Sequence, residues 1–415
     1  MSDGIQWTNA LSTRPSLEAA VQEVVEQAQQ GLTAAPDFGI VFISSVFESE
    51  YPRLLPLIQE YVSVPVLIGC SGGGIVGMNR AGVAQELEAK VALSLSLGRF
   101  PGAELHPFLI QPDQLPDLDG PPQQWIDLVG VPPQSQPDFI ILADPMASGL
   151  NDLLQGLDFA YPGSVKVGGL ASTSSMSGRT CVFYDRDMYL GHIVGVALSG
   201  NIKLDAIVAQ GCRPIGPVFR VVEGERNIIL NLQVDDESQE SQSPLEALQA
   251  LLETLNEDDR EKMQHSLFVG VAQSEFKTVL EPGDFLIRNP MGIDPRLGAL
   301  AIGDRVRPGQ RIQFHLRDAT TSADDLDTLL YRYRQQTATD VNPAAALMFS
   351  CLGRGEGLYN KANFDSGLFH RILKDIPISG FFCSGEIGPV GGTTFIHGYT
   401  SVFGILRRPA PAQTP

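Results

Sequence analysis

The chain has 415 residues, 43% hydrophobic and 19% charged, with a formal net charge of −19. That length fits two or three domains with a large core, and the composition excludes wholesale disorder, collagen and a coiled coil. The acidic balance argues against nucleic acid and anionic membrane surfaces as partners.

Five cysteines without a CxxC spacing argue against a disulfide framework and predict a cytoplasmic protein. No signal-peptide pattern opens the chain, and no run approaches 18 uninterrupted apolar residues, so no membrane insertion is expected.

In chain order, Ser16 caps a first helix in which Leu17, Val21, Val24, Val25 and Ala28 follow helical spacing up to Gly31. After Pro36-Asp37-Phe38, the apolar run 39–44 reads as a buried strand. A helix over 51–61 follows, then a strand from Val64 running into the glycine turn 69–74. Residues 90–97 read as another strand. The stretch 111–136, rich in Pro, Asp and Gln, reads as a surface linker.

The same order then recurs. Pro137 opens the strand 140–143, with a helix over 150–159, the glycine strand 165–169, and strands at 180–184 and 192–198. A third copy opens at Pro343, with strand 346–350, helix 367–374 and glycine strand 376–382. The opening proline precedes the key glycine by 33, 31 and 37 residues. Two explanations stand: a degenerate internal repeat, or spacing that any α/β chain produces. Between the second and third copies, residues 235–242 form an acidic, polar stretch expected to be a solvated linker. Ser243-Pro244-Leu245-Glu246 then spells a capping box, and Ser322 with Asp325 spells another. The expected fold is α/β: two related halves with mixed β-sheets flanked by helices, built on degenerate strand–helix–strand–strand repeats.

Four segments carry candidate chemistry. In Cys70-Ser71-Gly72-Gly73, consecutive backbone N–H groups either cradle a carboxylate or simply make a tight turn. In Cys351-Leu352-Gly353-Arg354-Gly355, the guanidinium of Arg354 either takes a ligand carboxylate with two hydrogen bonds or pairs with a structural carboxylate such as Glu386. In Cys383-Ser384-Gly385-Glu386, the carboxylate either binds a ligand amine or accepts backbone N–H bonds. His397 precedes the last strand and reads as structural or catalytic. Cys351 or Cys383 with His397 is the one cysteine–base pairing to consider. No metal-ligand spacing, P-loop, dinucleotide fingerprint or GxSxG elbow occurs, so no metal and no cofactor are expected.

Taken together, several of these segments resemble the FIST family of sensory domains, with paired FIST-N and FIST-C halves. The resemblance rests on Ile68-Gly69-Cys70-Ser71, Gly211-Cys212-Arg213-Pro214-Ile215-Gly216, Ile287-Arg288-Asn289 with Gly292-Ile293-Asp294, and residues 306–319. In the C-terminal half it rests on 349–355, 380–382 with 385–389, and His397-Gly398-Tyr399-Thr400. It implies a FIST-N-like domain over 1–232, an acidic linker at 233–243, a FIST-C-like domain over 244–408 and a disordered tail at 409–415. It also implies a soluble sensor for signal transduction, with amino acids as the ligand class. No kinase, methyl-accepting, cyclase or F-box segment is present, so output is expected through a separate partner protein. Cys70, Ser71, Gly72, Gly73, Cys351, Arg354, Gly355, Cys383, Gly385, Glu386 and His397 are the expected ligand-binding residues. The alternatives are a cysteine-dependent enzyme of acyl or amide chemistry and a protein-interaction scaffold.

Overall fold

Every residue of the strand Phe38–Ser44 is buried, so both of its faces are covered. The covering follows from the architecture of a computed structural model, which describes residues 4–175, 177–235, 240–274, 277–337 and 343–409. The acidic residues 236–239 and the tail from 410 lie outside the described residues. The chain packs as two units, one of residues 1–209 with 327–415 and one of residues 210–326.

The first unit opens with β1 (Gln6–Ser12), α1 (Leu17–Gln30), β2 (Phe38–Ser44), α2 (Tyr51–Tyr61), β3 (Val66–Gly72), β4 (Gly74–Met78), β5 (Ala84–Glu88) and β6 (Leu93–Arg99). The order repeats as β7 (Ala103–Ile110), α3 (Pro122–Val129), β8 (Asp138–Ala143), α4 (Leu150–Ala160), β9 (Lys166–Leu170), β10 (Val182–Tyr184), β11 (Asp187–Tyr189) and β12 (Ile193–Gly200). A third copy starts with β13 (Lys203–Ala209) and is then interrupted by the second unit.

The second unit holds β14 (Cys212–Glu225), β15 (Ile228–Val234), β16 (Ser241–Gln242), α5 (Pro244–Thr254), α6 (Glu257–Met263), β17 (Leu267–Ala272), β18 (Phe285–Arg288), β19 (Pro290–Asp294), β20 (Ala299–Ile302) and β21 (Arg311–Arg317). These strands form one antiparallel sheet of order β18-β17-β21-β14-β15-β20-β19, with β16 beside β15. Strand β16 pairs with β15, so the described residues on both sides of the acidic stretch lie inside this unit. That stretch does not divide the two units. The capping box is formed as expected: the Ser243 N–H donates to Glu246 Oε2 (2.8 Å), and the Glu246 N–H donates to Ser243 Oγ (3.3 Å).

Helix α7 (Ala319–Thr337) carries the chain back to the first unit. The third copy then resumes with β22 (Pro343–Cys351), α8 (Gly355–Tyr359), α9 (Phe364–Ile372), β23 (Ile378–Cys383), β24 (Glu386–Val390), β25 (Thr393–His397) and β26 (Ser401–Arg407).

The recurrence read from the sequence is therefore threefold, and all three copies fall in the first unit. Each copy contributes one parallel pair: β2 with β3, β8 with β9, and β22 with β23. The three sheets have equivalent orders, β1-β6-β2-β3-β10-β11, β7-β12-β8-β9-β24-β25 and β13-β26-β22-β23-β4-β5. Each glycine strand thus receives the hairpin of another copy: β10 joins β3, β24 joins β9, and β4 joins β23. The exchange runs in a closed cycle through all three sheets.

Three glycines make the close parallel pairing possible. A Cβ on Gly69 would lie 2.1 Å from the Val41 carbonyl oxygen, one on Gly168 1.7 Å from that of Ile141, and one on Gly380 1.8 Å from that of Met348. The inner faces of the three sheets share one core containing Phe42, Ile68, Cys70, Leu142, Val167, Phe349, Phe381 and Cys383. Phe42 stacks on Phe381 at 5.1 Å across two sheets. The outer face of the first sheet is covered by α1 and α2, that of the second by α3 and α4.

Two expectations are corrected here. The stretch 111–136 is not a bare linker, since it contains α3, whose Trp125 is fully buried. The second capping box is absent: α7 starts at Ala319, Asp318 accepts the Thr321 N–H (2.8 Å), and Ser322 lies inside the helix with its hydroxyl donating to the Gly211 carbonyl (3.1 Å).

Candidate functional site

The carboxyl ends of the three parallel pairs meet at one residue that sequence reading passed over. Ser172 lies four positions after Gly168, as Gly73 does after Gly69 and Ser384 after Gly380. Its hydroxyl accepts the Gly73 N–H (2.8 Å) and donates to the Phe382 carbonyl. One fully buried hydroxyl thereby ties the three glycine strands together. Ser71 adds a second tie, donating to the Ser172 carbonyl (3.3 Å) and accepting the Cys181 N–H (3.2 Å). Around this point the surface is rich in hydroxyls. Ser45 and Ser174 share a hydrogen bond of 2.8 Å, Thr173 is half-buried, and Ser175 and Ser384 are exposed.

The expected anion cradle is committed elsewhere. The Ser71 N–H donates to the Cys181 carbonyl (3.1 Å) and the Gly73 N–H to Ser172. Gly72 is paired with Ser44, and Cys70 is buried between Phe42 and Val182. The turn is tight because its donors satisfy the neighbouring copies, which leaves these N–H groups turned inward.

Arg354 is fully buried and holds Asp365, with Nε at 2.8 Å from one carboxylate oxygen and Nη2 at 3.1 Å from the other. The same guanidinium donates to the Tyr359 hydroxyl (2.5 Å), and Tyr359 stacks on Phe364 at 3.8 Å. The structural carboxylate shown here is Asp365, in the first turn of α9. Glu86 of β5 reaches the same cluster, accepting the Ser366 N–H (2.6 Å). Burial, then the Asp365 charge, pushes its carboxyl up to about 7. Gly355 has φ +63 and sits against the Glu88 carboxylate, which accepts the Glu356 N–H (2.8 Å).

Glu386 accepts the Thr400 N–H (3.1 Å) and faces His397 across the β24–β25 pairing. His397 Nε2 lies 3.0 Å from the Gly388 carbonyl. Gly385 is buried, and its carbonyl accepts the Leu170 N–H (2.8 Å). Cys383 is fully buried, and burial pushes its thiol well above the ordinary value, as it does for Cys70. Both are therefore neutral thiols at physiological pH. Cys351 is half-buried at the end of β22. None of the five cysteines is joined in a disulfide.

The structure therefore brings Ser71, Gly72, Gly73, Cys351 and Cys383 to one end of the sheets. Arg354 is turned into the protein.

The other arginines singled out by motif also hold carboxylates. Arg213 contacts Asp259, and Arg288 contacts Asp304 at 2.9 Å. Among the described residues no group of three or more His, Cys, Asp or Glu is arranged to hold a metal ion, and no helix is long and apolar enough to cross a membrane. Two open grooves lie away from the strand ends. One of about 450 Å³ is lined by Asp37, Pro65, Arg99, Phe100 and Leu105, and one of about 490 Å³ in the second unit by Ile228, Ile293, Asp294 and Arg296.

Comparison with known proteins places this architecture. Residues 37–234 match the FIST N domain and residues 247–389 the FIST C domain. The chain belongs to the FIST family.

FIST domains are sensory, signal-transduction domains. Two relatives match along nearly their whole length. Uncharacterized protein Rv0628c of Mycobacterium tuberculosis is 32% identical over 94% of this chain and 97% of its own. Uncharacterized protein Mb0898c of Mycobacterium bovis is 30% identical over 94% and 95%. A crystal structure of cyanuric acid hydrolase from A. caulinodans is similar at a TM-score of 0.34 and 8% identity, covering 96% of this chain and 99% of that one. The FIST N match runs from β2 of the first copy through the whole of the second and on to β15, while the FIST C match begins within α5. The gap between them lies at the acidic stretch.

Proposed function

We propose that this FIST protein is a cytoplasmic sensor that binds a small carboxylate-bearing ligand, such as an amino acid, at the carboxyl ends of its three parallel strand pairs. One observation carries the reading: the three glycine strands converge on the Ser172 hydroxyl beneath a surface of serine and threonine side chains. Ligands of open α/β sheets gather at the carboxyl ends of strands, because connections diverge there and leave donors exposed. Hydroxyls at Ser45, Thr173, Ser174 and Ser384 supply donors suited to a carboxylate. Arg354 serves the site from beneath by fixing α9 and the loop 352–355. Cysteines that are not disulfide-bonded suit a reducing compartment. Output passes to a separate partner protein.

The test is a thermal-shift screen against the twenty amino acids, keto acids and short peptides. A ligand at a hundredfold its Kd adds about 2.7 kcal/mol to the native state, which appears as a shift of a few degrees. The expected result is a hit lost in both Ser174→Leu and Ser384→Leu, with the unliganded melting temperature unchanged. A hit that survives both substitutions would place the ligand in another groove. A folded protein with no hit would favour a protein-binding scaffold.

A further inference from the structure

Cys351 and Cys383 close two neighbouring strands at the same level. They are partners in the parallel register of β22 and β23, as Phe349 and Phe381 are two residues earlier. Paired residues of parallel strands point to the same side of the sheet. Phe349, Phe381 and Cys383 all belong to the inner core, so the Cys351 side chain emerges on that same face. Strands in a sheet lie about 4.8 Å apart, inside the range of about 4.4–6.8 Å between Cα atoms that a disulfide spans, while the Cβ atoms must close to about 3.8 Å, which strains the link. The two thiols differ in access, since Cys351 is half-buried at the strand end and Cys383 is buried. The Gly353 N–H is directed at Cys351 Sγ (3.5 Å).

We propose that Cys351 and Cys383 form a reversible disulfide, with Cys351 as the oxidant-reacting thiol and Cys383 as the resolving one. With a hydroperoxide as oxidant, the Cys351 thiolate attacks the outer peroxide oxygen. The O–O bond breaks, the alcohol leaves with a proton, and Cys351 becomes a sulfenic acid. The Cys383 sulfur then attacks the Cys351 sulfur. The S–S bond forms, hydroxide leaves, and the Cys383 proton converts it to water. The peroxide gains the two electrons that the two thiols lose.

The link would act on the loops at the candidate site. Leu352 donates its N–H to the Cys383 carbonyl (3.0 Å), and Cys351 donates to the Thr400 carbonyl (3.0 Å). Directly opposed cysteines make a strained, easily reduced disulfide, the kind used for switching and not for structure. The inference does not depend on the ligand reading.

The experiment treats the purified chain with tert-butyl hydroperoxide, blocks free thiols with N-ethylmaleimide, and maps peptides by mass spectrometry. The expected result is a Cys351–Cys383 link that dithiothreitol reverses, with Cys70, Cys181 and Cys212 recovered as blocked thiols. In Cys383→Ser, Cys351 should stay at the sulfenic stage and be trapped by dimedone. A link between other cysteines would overturn the proposal, and so would Cys351 passing to sulfinic acid while Cys383 stays free. The wild-type map decides the question even if the variant does not fold.

Discussion

Replacing Arg354 separates a structural guanidinium from a ligand-binding one. Its side chain and that of Asp365 are 0% and 1% exposed. Arg354→Met therefore leaves a carboxylate sealed from water with only Ser350 Oγ, at 3.4 Å, among its identified hydrogen-bond partners. Removing one member of a buried ion pair costs about 3–5 kcal/mol, chiefly as the penalty of the charge left behind. The loss of contact with the Tyr359 hydroxyl, and of the cation–π contact at 5.6 Å, adds to it. The double variant Arg354→Met with Asp365→Leu removes both charges and should recover most of the loss, since apolar replacement of a whole buried pair is close to neutral. Urea unfolding followed by circular dichroism measures both variants against the parent. A single variant of unchanged stability would refute this reasoning. If that variant also lost the ligand-induced thermal shift, Arg354 would be a direct ligand contact.

Three further outcomes are expected. Glu86 has its carboxyl raised from 4.5 to about 7 by burial and by Asp365, with Glu88 on the same strand and Arg354 in the same cluster. A raised carboxyl stabilises the fold at low pH and loses that contribution as pH climbs through about 7, at no more than about 1.4 kcal/mol per pH unit. Glu86→Gln should flatten that slope in denaturation curves taken from pH 4.5 to 8. In the second unit, burial holds His315 down at about 4. Its stabilising contribution is present above pH 6.5 and is lost as pH falls toward 4, so His315→Phe should remove this acid sensitivity, as followed by urea unfolding at pH 4.5 and pH 7. Gly380→Ala and Gly168→Ala, which drive a Cβ into a backbone carbonyl, should each cost at least about 3 kcal/mol in urea unfolding. Gly367→Ala in α9 meets nothing within 4 Å and should be neutral or stabilising.

The repeated core was legible because prolines and glycines mark chemistry that no other residue performs. The opening prolines precede each first parallel strand, and the glycines stand where a Cβ has no room. What was hidden is the exchange of hairpins. Strand β10 has three residues and β4 five, too few to show a period, and their partners lie in another copy. Helix α3 was hidden by its Pro and Gln content, although Trp125 anchors it. The candidate site was legible at the strand ends and illegible in its contacts. Asp365 follows Arg354 by 11 residues on another helix, so no spacing links them. Ser172 could have been found by aligning the copies on Gly69, Gly168 and Gly380, which places it level with Gly73 and Ser384.

The cyclic exchange has a consequence for how such a chain could have arisen. One copy on its own would leave its glycine strand without the hairpin that pairs with it, an open and sticky edge. Three separate copies of that short chain could satisfy one another in the same cycle. The pairing geometry is thus already that of a symmetric trimer, which gene fusion need only have tied together. The third copy carries more than a hundred residues between its first and second strands, yet its sheet keeps the same strand order as the other two.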